Sequence, residues 1–221
     1  MRFVVTAGPT REYLDPVRFL SNPSTGKMGF AVARAARAAG HGVTLIAGPV
    51  ALPTPRGVDR VDAISARDML AAVQAALSAS LPEPTVLVMT AAVADWRPAQ
   101  QAAVKLKKGE MSGTLKLVRN PDILKTLLKS YPADEPNLVR IGFAAETGEP
   151  SVEAARKCRE KGLRLVVGND VLQAGCGFGT TTNQVTFVRP DGTAERLPLM
   201  SKLSVARRIV RFAERNIHGG R

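Results

Sequence analysis

The sequence has few of the residues from which metal sites and covalent catalytic sites are built. Its 221 residues include only two cysteines, Cys158 and Cys176, and two histidines, His41 and His218. Two cysteines are too few for a disulfide framework, and they lack the spacing of metal ligands. No Ser-His-Asp or Cys-His set can be assembled, so a zinc site and covalent acyl-enzyme chemistry are both disfavoured.

Long apolar runs and a recognisable leader are also absent. No run approaches the roughly 18 apolar residues that span a bilayer. Met1 leads directly into a strand-like segment, which is not the pattern of a signal peptide. The ten aromatic residues (seven Phe, two Tyr and one Trp) do not alternate with basic residues, as a stacking platform for single strands would require. We therefore expect a cytoplasmic protein that binds neither a membrane nor nucleic acid.

Acidic residues are also scarce relative to basic residues. Nineteen Asp and Glu face 31 Lys and Arg, which gives a formal net charge of +12. Such an excess attracts anions, whether nucleic acid, an acidic membrane surface or phosphorylated small molecules. A basic surface that is merely solvated is the alternative. The hydrophobic content of 45% is enough to bury a core, which excludes a disordered chain.

Apolar runs typical of strands alternate with segments of helical periodicity. The predicted strands are Phe3–Ala7, Val43–Ala47, Thr85–Thr90, Leu138–Phe143 and Leu165–Gly168. The predicted helices are Lys27–Ala39, Ala66–Leu81, Pro121–Ser130, Ser151–Lys161 and Ser201–Arg215. The middle strands are nearly continuous apolar runs, as expected for strands buried on both faces. This alternation predicts a Rossmann-like α/β fold with a doubly wound, mainly parallel sheet.

Two segments depart from this alternation. Residues 96–116 are polar and basic, which predicts a flap that leaves the sheet. Residues 183–199 predict a hairpin around the Asp191-Gly192 turn, with the closing helix after it. No linker rich in Pro, Gly or Ser divides the chain. We therefore expect one domain over residues 1–221, in which the hairpin and closing helix occupy about 183–215.

Four loops follow predicted strands, at the edge of an open α/β sheet where ligands bind. The first, residues 6–29, places small residues before a helix whose N–H groups suit an anion. The second is Thr90–Trp96, the third is Asn120–Ile123 and the fourth is Phe143–Thr147. In the third loop we expect Asn120 to cap a helix that begins at Pro121. The helix after the fourth loop carries Lys157 and Lys161 one turn apart, a spacing that suits a polyphosphate.

Two common nucleotide-binding patterns are missing. Ser21 stands where a Walker A loop needs the glycine that lies five residues before Gly26, and Met28 stands where Ser or Thr should follow Lys27. The pattern G-x-G-x-x-G is absent after the first strand, and the second strand ends without a carboxylate for a ribose. An ordinary NAD-dependent dehydrogenase is therefore disfavoured.

Together the loops carry a series of unusual motifs in a fixed order. They are TAGPTRE, DPVRFLSN, STGKMGFAVA, VTLIAGPV, AAVADWRP, KLKK, NPDIL, GFAAET, the Lys157/Lys161 pair and VGNDV. On these motifs, from about residue 3 to 210, the chain resembles the phosphopantothenate–cysteine ligase (phosphopantothenoylcysteine synthetase) family of coenzyme A biosynthesis. In many bacteria this ligase is fused behind a flavin-dependent decarboxylase. Because this sequence opens on the ligase's first strand, we expect a stand-alone ligase without a flavin.

The resemblance implies a reaction in two steps. The carboxylate of 4′-phosphopantothenate attacks the α-phosphate of CTP and releases pyrophosphate. The amine of L-cysteine then attacks the acyl-cytidylate, which gives 4′-phosphopantothenoyl-cysteine and CMP. The resemblance also implies Mg²⁺ with CTP as co-substrate, a homodimer with the active site near its interface, and a separate phosphopantothenoylcysteine decarboxylase as a further partner.

The matched motifs also imply roles for single residues. Asn22 would hold the acyl group and assist breakdown of the acyl-cytidylate, and Lys105 would neutralise phosphate charge from a flap that closes over CTP. Arg18 and Ala91 would join Asn22 in binding the pantothenoyl substrate. The implied nucleotide-binding residues are Ala91, Asp95, Lys105, Pro121, Asp122, Ile123, Leu124, Phe143, Lys157 and Lys161. The metal ligands stay unassigned.

One departure from the family and two other functions stay open. Pro9 stands where the family commonly has glycine, and it removes a backbone N–H that would otherwise be available to phosphate. An NAD(P)-linked oxidoreductase on the same fold is one alternative, because a fold does not fix a function. A basic nucleic-acid-binding module is the other, and it rests on the net charge alone. The choice of CTP over ATP comes only from the resemblance.

Overall fold

A computed structural model describes residues 1–107, 113–146, 151–170 and 172–217. Several residues of the predicted segments lie outside these ranges: residues 108–112 of the flap (with the last lysine of KLKK, Lys108), Thr147 of the fourth loop, Val171 at the end of VGNDV, and His218. None of the helices in the described ranges is long and apolar enough to cross a membrane.

Fourteen strands and five helices are seen in the described part of the chain. The strands are β1 (Arg2–Ala7), β2 (Arg11–Tyr13), β3 (Phe19–Ser21), β4 (Gly42–Ala47), β5 (Asp59–Asp62), β6 (Thr85–Met89), β7 (Trp96–Pro98), β8 (Leu117–Arg119), β9 (Leu138–Glu146), β10 (Leu165–Asp170), β11 (Thr182–Asn183), β12 (Thr186–Val188), β13 (Ala194–Arg196) and β14 (Met200–Ser201). The helices are α1 (Lys27–Ala38), α2 (Ala66–Ser80), α3 (Ile123–Leu127), α4 (Ser151–Glu160) and α5 (Lys202–Asn216).

The main sheet has eight strands in the order β13-β12-β10-β9-β6-β1-β4-β5. The six strands from β10 to β5 are parallel to their neighbours. Numbered along the chain, these six lie in the order 3-2-1-4-5-6, which is the arrangement of dinucleotide-binding doubly wound folds. The prediction of a Rossmann-like, mainly parallel sheet is confirmed.

The carboxyl-terminal hairpin extends this sheet at one edge. Strand β12 pairs antiparallel with β10, and β13 pairs antiparallel with β12. The turn between them contains Gly192 at a φ of 90°, so the predicted hairpin around Asp191-Gly192 is confirmed. Three further two-stranded pairs lie outside the main sheet: β2–β3, β7–β8 and β11–β14.

The helices cover both faces of the sheet. Helices α1 and α5 pack against one face, where alanine and valine side chains of α1 meet the inner faces of β1 and β4. Helices α2, α3 and α4 pack against the other face. Strand β6 (TVLVM) is buried along its whole length, as a strand between two helical layers must be. Because helices cover both faces of the sheet, the carboxyl ends of the parallel strands are the place where the sheet stays accessible to a ligand.

Several local predictions need correction. Helix α3 is shorter than predicted, and Asp122 caps it by accepting a hydrogen bond from the backbone N–H of Lys125 at 3.1 Å. The side chain of Asn120, predicted as the cap, donates instead to the carbonyl oxygen of Ala94 at 2.8 Å. Strand β5 (DRVD) was not predicted, because an exposed edge strand with one apolar residue has no apolar run. Strands β7 and β8, at the two ends of the predicted flap, pair with each other outside the main sheet, as predicted for a segment that leaves it.

Candidate active site

A cavity of about 800 Å³ opens at the carboxyl ends of the parallel strands. Its walls come from the loop after β6, the ends of β9 and β10, the start of α1, the α3 region, α4 and the segment before α5. The strand order reverses between β1 and β6, and ligands of open α/β sheets bind in the crevice at such a point. The position of the cavity therefore agrees with the loops singled out from the sequence.

The start of α1 forms one wall of the cavity. Gly26 precedes the helix with a φ of 77°, and no side chain caps the first turn, which also contains no acidic residue. Gly26, Lys27, Met28 and Gly29 all line the cavity. The first N–H groups of a helix have no partner within it, so this wall offers hydrogen-bond donors and a positive helix end to an anion.

Pro9 lies outside this wall. It is buried and forms an isolated bridge with Ala92, and it is not among the residues that line the cavity. The part of the first loop that borders the cavity is therefore residues 22–29. The N–H group that Pro9 lacks would not be on the cavity surface.

The side chain of Asn22 is hydrogen-bonded to the loop that follows β6. Its Nδ2 donates to the carbonyl oxygen of Ala92 at 3.1 Å and to that of Val93 at 3.4 Å. The loop is itself anchored to the first strand and the turn after it, since the N–H of Ala91 donates to Oγ1 of Thr6 at 3.2 Å and the N–H of Ala94 donates to Oγ1 of Thr10 at 3.0 Å. Because the two carbonyl groups use the amide nitrogen, Oδ1 is the group that Asn22 has left for a ligand.

The opposite wall comes from α3 and α4. Lys161 forms an ion pair with Asp122, with 3.0 Å between Nζ and Oδ2. Burial raises the pKa of Asp122, but hydrogen bonds from the Lys125 N–H and from Lys161 outweigh burial, so the pKa lies below its ordinary value of 3.8. Pro121, Ile123, Leu124 and Lys157 are the other predicted nucleotide-binding residues on this wall, and Phe143 lines the cavity beside it from β9. Ala91 and Asp95 border the same space from the loop after β6.

Arg18 and Lys105 are the two predicted site residues that do not line the cavity. Arg18 Nε donates to Oδ2 of the buried Asp15 at 2.9 Å, and this guanidinium holds the pKa of Asp15 well below its usual range. Arg18 Nη2 also donates to the carbonyl oxygen of Leu106 at 3.0 Å. These bonds tie the flap to the β2–β3 connection, and Lys105 is exposed beside them.

Other residues of the cavity were not predicted as site residues. They include Lys27, Arg119, Asn120, Asn169, Cys176, Gly177, Phe178, Asn183 and Lys202. Lys27 and Asn169 lie within motifs quoted above, so a signal for them was present. Lys202 begins α5 and Asn183 ends β11, and nothing in their local sequence indicates that the chain returns to the cavity there.

Comparison with known proteins identifies related chains. Residues 1–216 match the family model described as "DNA/pantothenate metabolism flavoprotein C-terminal domain". The coenzyme A biosynthesis bifunctional protein CoaBC of Vibrio vulnificus (strain YJ016) is 43% identical over 210 residues, which are 94% of this chain and 50% of that protein. The chain thus spans about half the length of this relative.

Solved structures also match. The crystal structure of the C-terminal domain of a CoaBC protein has a TM-score of 0.80 and 39% identity, covering 99% of this chain and 96% of that chain. A Cab2 mutant in complex with phosphopantothenate-cysteine has a TM-score of 0.78 at 16% identity, covering 99% of this chain and 87% of that chain. The second likeness is one of fold alone.

Proposed function

The chain belongs to the family of DNA/pantothenate metabolism flavoprotein C-terminal domains, and on that premise we propose that it joins 4′-phosphopantothenate to L-cysteine at the expense of CTP. The main observation in support of this proposal is that every predicted site residue except Arg18 and Lys105 lines one cavity. The name of the 43%-identical relative, a coenzyme A biosynthesis protein, supports the same pathway. The product would pass to a decarboxylase, which we propose as a separate partner.

The proposed reaction has two displacements. In the first, a carboxylate oxygen of 4′-phosphopantothenate bonds to the α-phosphorus of CTP, and the bond from that phosphorus to pyrophosphate breaks. In the second, the cysteine nitrogen bonds to the acyl carbon, the carbon–oxygen bond to CMP breaks, and the nitrogen loses a proton. Negative charge develops on phosphate and carbonyl oxygens in these steps, so cations and N–H donors at fixed positions stabilise both transition states.

Asn22 suits the second displacement. Its Nδ2 is held by Ala92 and Val93, so Oδ1 can accept a hydrogen bond from the attacking amine. An aspartate at this position would bring a negative charge against the same carbonyl oxygens and against a developing anion. The neutral amide therefore positions the amine and adds no repulsion.

The α3–α4 wall suits the nucleotide. Lys157 and Lys161 supply two ammonium groups, and Phe143 supplies an apolar surface. The ion pair with Asp122 holds Lys161 in place before a nucleotide arrives. Holding a side chain in advance reduces the entropy lost on binding.

Mg²⁺ fits this arrangement if the substrate supplies most of its ligands. No cluster of three or more His, Cys, Asp or Glu side chains suited to a metal occurs in the described ranges. Mg²⁺ commonly needs only one or two carboxylates beside phosphates and water. Asp122 already caps α3 and pairs with Lys161, so Asp95 is the cavity carboxylate that would hold the ion. When bound, Mg²⁺ supplies charge neutralisation at the phosphates.

We further propose a homodimer that completes the site. Arg18 and Lys105 lie outside the cavity, close to side chains that are apolar and exposed: Val104 is 73% exposed, Val17 is 56% exposed and Phe19 is 39% exposed. A second copy would cover this surface and would bring a flap to a neighbouring cavity. Sedimentation equilibrium tests this, since a chain that is monomeric at micromolar concentration contradicts it.

Mass spectrometry of the reaction product tests the proposed activity. We expect 4′-phosphopantothenoyl-cysteine only when CTP, 4′-phosphopantothenate and cysteine are all present. Fluorescence titration with NADPH tests the oxidoreductase alternative, and gel-shift assays at low salt test the nucleic-acid alternative. Absence of the product together with binding in either assay would replace the ligase with that alternative.

A further inference from the structure

A buried arginine lies behind the α3–α4 wall, and no step of the proposed reaction uses it. Arg140 is in the middle of β9, and its side chain is fully buried. It is in register with Leu87 of β6, which belongs to the core that α2, α3 and α4 cover, so both side chains point to that face of the sheet. Within the described ranges Arg140 forms no ion pair, although buried charges are normally paired.

The guanidinium of Arg140 binds the segment that joins α3 to β9. Its Nη2 donates to the carbonyl oxygen of Tyr131 at 2.7 Å and to that of Pro132 at 3.0 Å. Nε and Nη1 are buried without a hydrogen-bond partner among the described residues. Burial lowers the pKa of the guanidinium, and the charge of Glu135 offsets part of this effect. The hydrogen bonds of this buried cation therefore go to two neutral carbonyl groups.

The stability of the fold does not account for this arginine. A buried charge loses its hydration, and an apolar side chain of similar volume in its place is often neutral or stabilising. Tyr131 is half-buried and Pro132 is exposed, so water can replace the guanidinium at their carbonyl oxygens. Residues that are unfavourable for the fold are expected at functional sites, which indicates a role for Arg140 in the neighbouring wall.

The segment that Arg140 holds also supports the turn that carries Lys161. The next residue in this turn is Gly162, which has a φ of 59°. A Cβ at Gly162 would lie 2.9 Å from Cδ2 of Leu128 and 3.0 Å from Cβ of Ala133. The turn after α4 therefore packs directly on the segment after α3, and a shift of one must displace the other.

The contacts around Arg140 form a closed path. The N–H of Arg164, just after the turn, donates to the carbonyl oxygen of Arg140 at 2.9 Å. Lys161 in the turn pairs with Asp122 at the start of α3, with 3.0 Å between Nζ and Oδ2. Both members of this ion pair line the cavity. Arg140 thus holds the end of α3 through its side chain and the strand after α4 through its backbone, on either side of Lys161.

We propose that Arg140 is a positioning residue for the nucleotide, which fixes the spacing of α3 and α4 so that Lys161 stays paired with Asp122 at the cavity wall. An apolar side chain cannot replace the two hydrogen bonds of Nη2. Without them the segment after α3 and the turn after α4 can separate, and Lys161 loses its fixed position. This inference rests on the proposed function, which assigns the α3–α4 wall to CTP.

Calorimetric titration with CTP and Mg²⁺, together with urea denaturation of the full chain, separates positioning from stability. Arg140→Met should weaken CTP binding about fivefold, while the urea midpoint stays at the wild-type value or rises. Leu87→Ala is the matched control, because it opens a cavity beside Arg140 in the same core. It should lower the urea midpoint and leave the CTP affinity unchanged. If Arg140→Met does not fold by circular dichroism, the polar but shorter Arg140→Gln takes its place. Unchanged CTP affinity in the folded Arg140 variant overturns the proposal.

A double-mutant cycle with Lys161→Gln tests whether Arg140 acts through Lys161. In the Lys161→Gln background, Arg140→Met should change the CTP affinity by less than about twofold, and the full fivefold loss there would overturn the proposal.

NMR titration of the Asp122 carboxyl group gives a readout that needs no nucleotide. The hydrogen bond from Lys161 lowers the pKa of Asp122, so this pKa should rise in Arg140→Met and stay at the wild-type value in Leu87→Ala. A wild-type pKa of Asp122 in Arg140→Met overturns the proposal. A raised pKa in that variant of a chain that binds no CTP would refute the proposed function and leave the positioning role standing.

Discussion

The substitution Gly29→Ala tests whether close packing of α1 on the sheet sets the shape of the cavity. A Cβ at position 29 would lie 2.5 Å from Cβ of Ala7, 2.5 Å from Oγ1 of Thr90 and 2.8 Å from the carbonyl oxygen of Thr6. Non-bonded carbon atoms prefer a separation of about 3.5–4.0 Å. The start of α1 must therefore move away from β1 by about 1 Å, because these neighbours are backbone atoms and short side chains that cannot turn aside.

The expected loss of stability follows from two opposing effects. Overpacking of this kind costs about 1–3 kcal/mol, and three short contacts place position 29 at the upper end. Alanine recovers about 1 kcal/mol through its higher helix propensity. The free energy of unfolding should therefore fall by about 2 kcal/mol, which lowers the urea midpoint by about 1 M for a slope of about 2 kcal/mol/M.

Gly179→Ala is the matched control for this substitution. A Cβ at position 179 meets no atom within 4 Å, so its stability should stay within about 0.5 kcal/mol of wild type. The displaced first turn of the Gly29 variant should also bind pyrophosphate more weakly, because its N–H groups move. A Gly29 variant as stable as the Gly179 variant would refute the argument from close packing.

Four further predictions concern single side chains. Asn22→Asp should abolish the ligated product while the acyl-cytidylate accumulates. Lys105→Gln should block formation of the acyl-cytidylate. Chromatography of quenched reactions measures both species, and wild-type turnover in either variant refutes the role assigned to that residue. Asp122→Ala removes the cap of α3 and should lower the free energy of unfolding by about 1 kcal/mol at pH 7. Because the pKa of Asp122 is lowered on folding, its charge stabilises the fold above pH 3.8, and the difference from wild type in denaturation curves should shrink as the pH falls below that value. Burial raises the pKa of the Cys158 thiol to about 11, so iodoacetamide at pH 8 should label it only after unfolding; rapid labelling of the native protein, by peptide mass spectrometry, would contradict this.

The parallel sheet could be predicted because its strands are buried on both faces. Strands such as β6 appear in the sequence as continuous apolar runs, which need no tertiary information to recognise. Strand β5 lies at an exposed edge and is held by pairing with β4, so its pattern DRVD carried no such signal. The start of α3 was misplaced for a similar reason. Asparagine commonly caps helices, but the side chain of Asn120 instead donates a hydrogen bond to the carbonyl oxygen of Ala94, which is distant in sequence.

The candidate site was predictable where its residues follow strands directly. Asn22, Ala91 and Asp95 belong to such loops, and their motifs pointed to the edge of the sheet where the cavity lies. Lys202 and Asn183 reach the same cavity only because the chain folds back over α1 after β10. That return depends on bonds such as the one from Thr25 to the carbonyl group of residue 178, which no local pattern indicates.

Nucleotide turnover tests the central claim most directly. The purified chain is supplied with 4′-phosphopantothenate, cysteine and Mg²⁺, with CTP or ATP in parallel reactions, and the nucleotides are separated by chromatography. We predict that CMP and pyrophosphate appear from CTP only when both other substrates are present. AMP formed in place of CMP would keep the ligation and contradict the choice of nucleotide, and turnover of neither nucleotide would contradict the ligase itself.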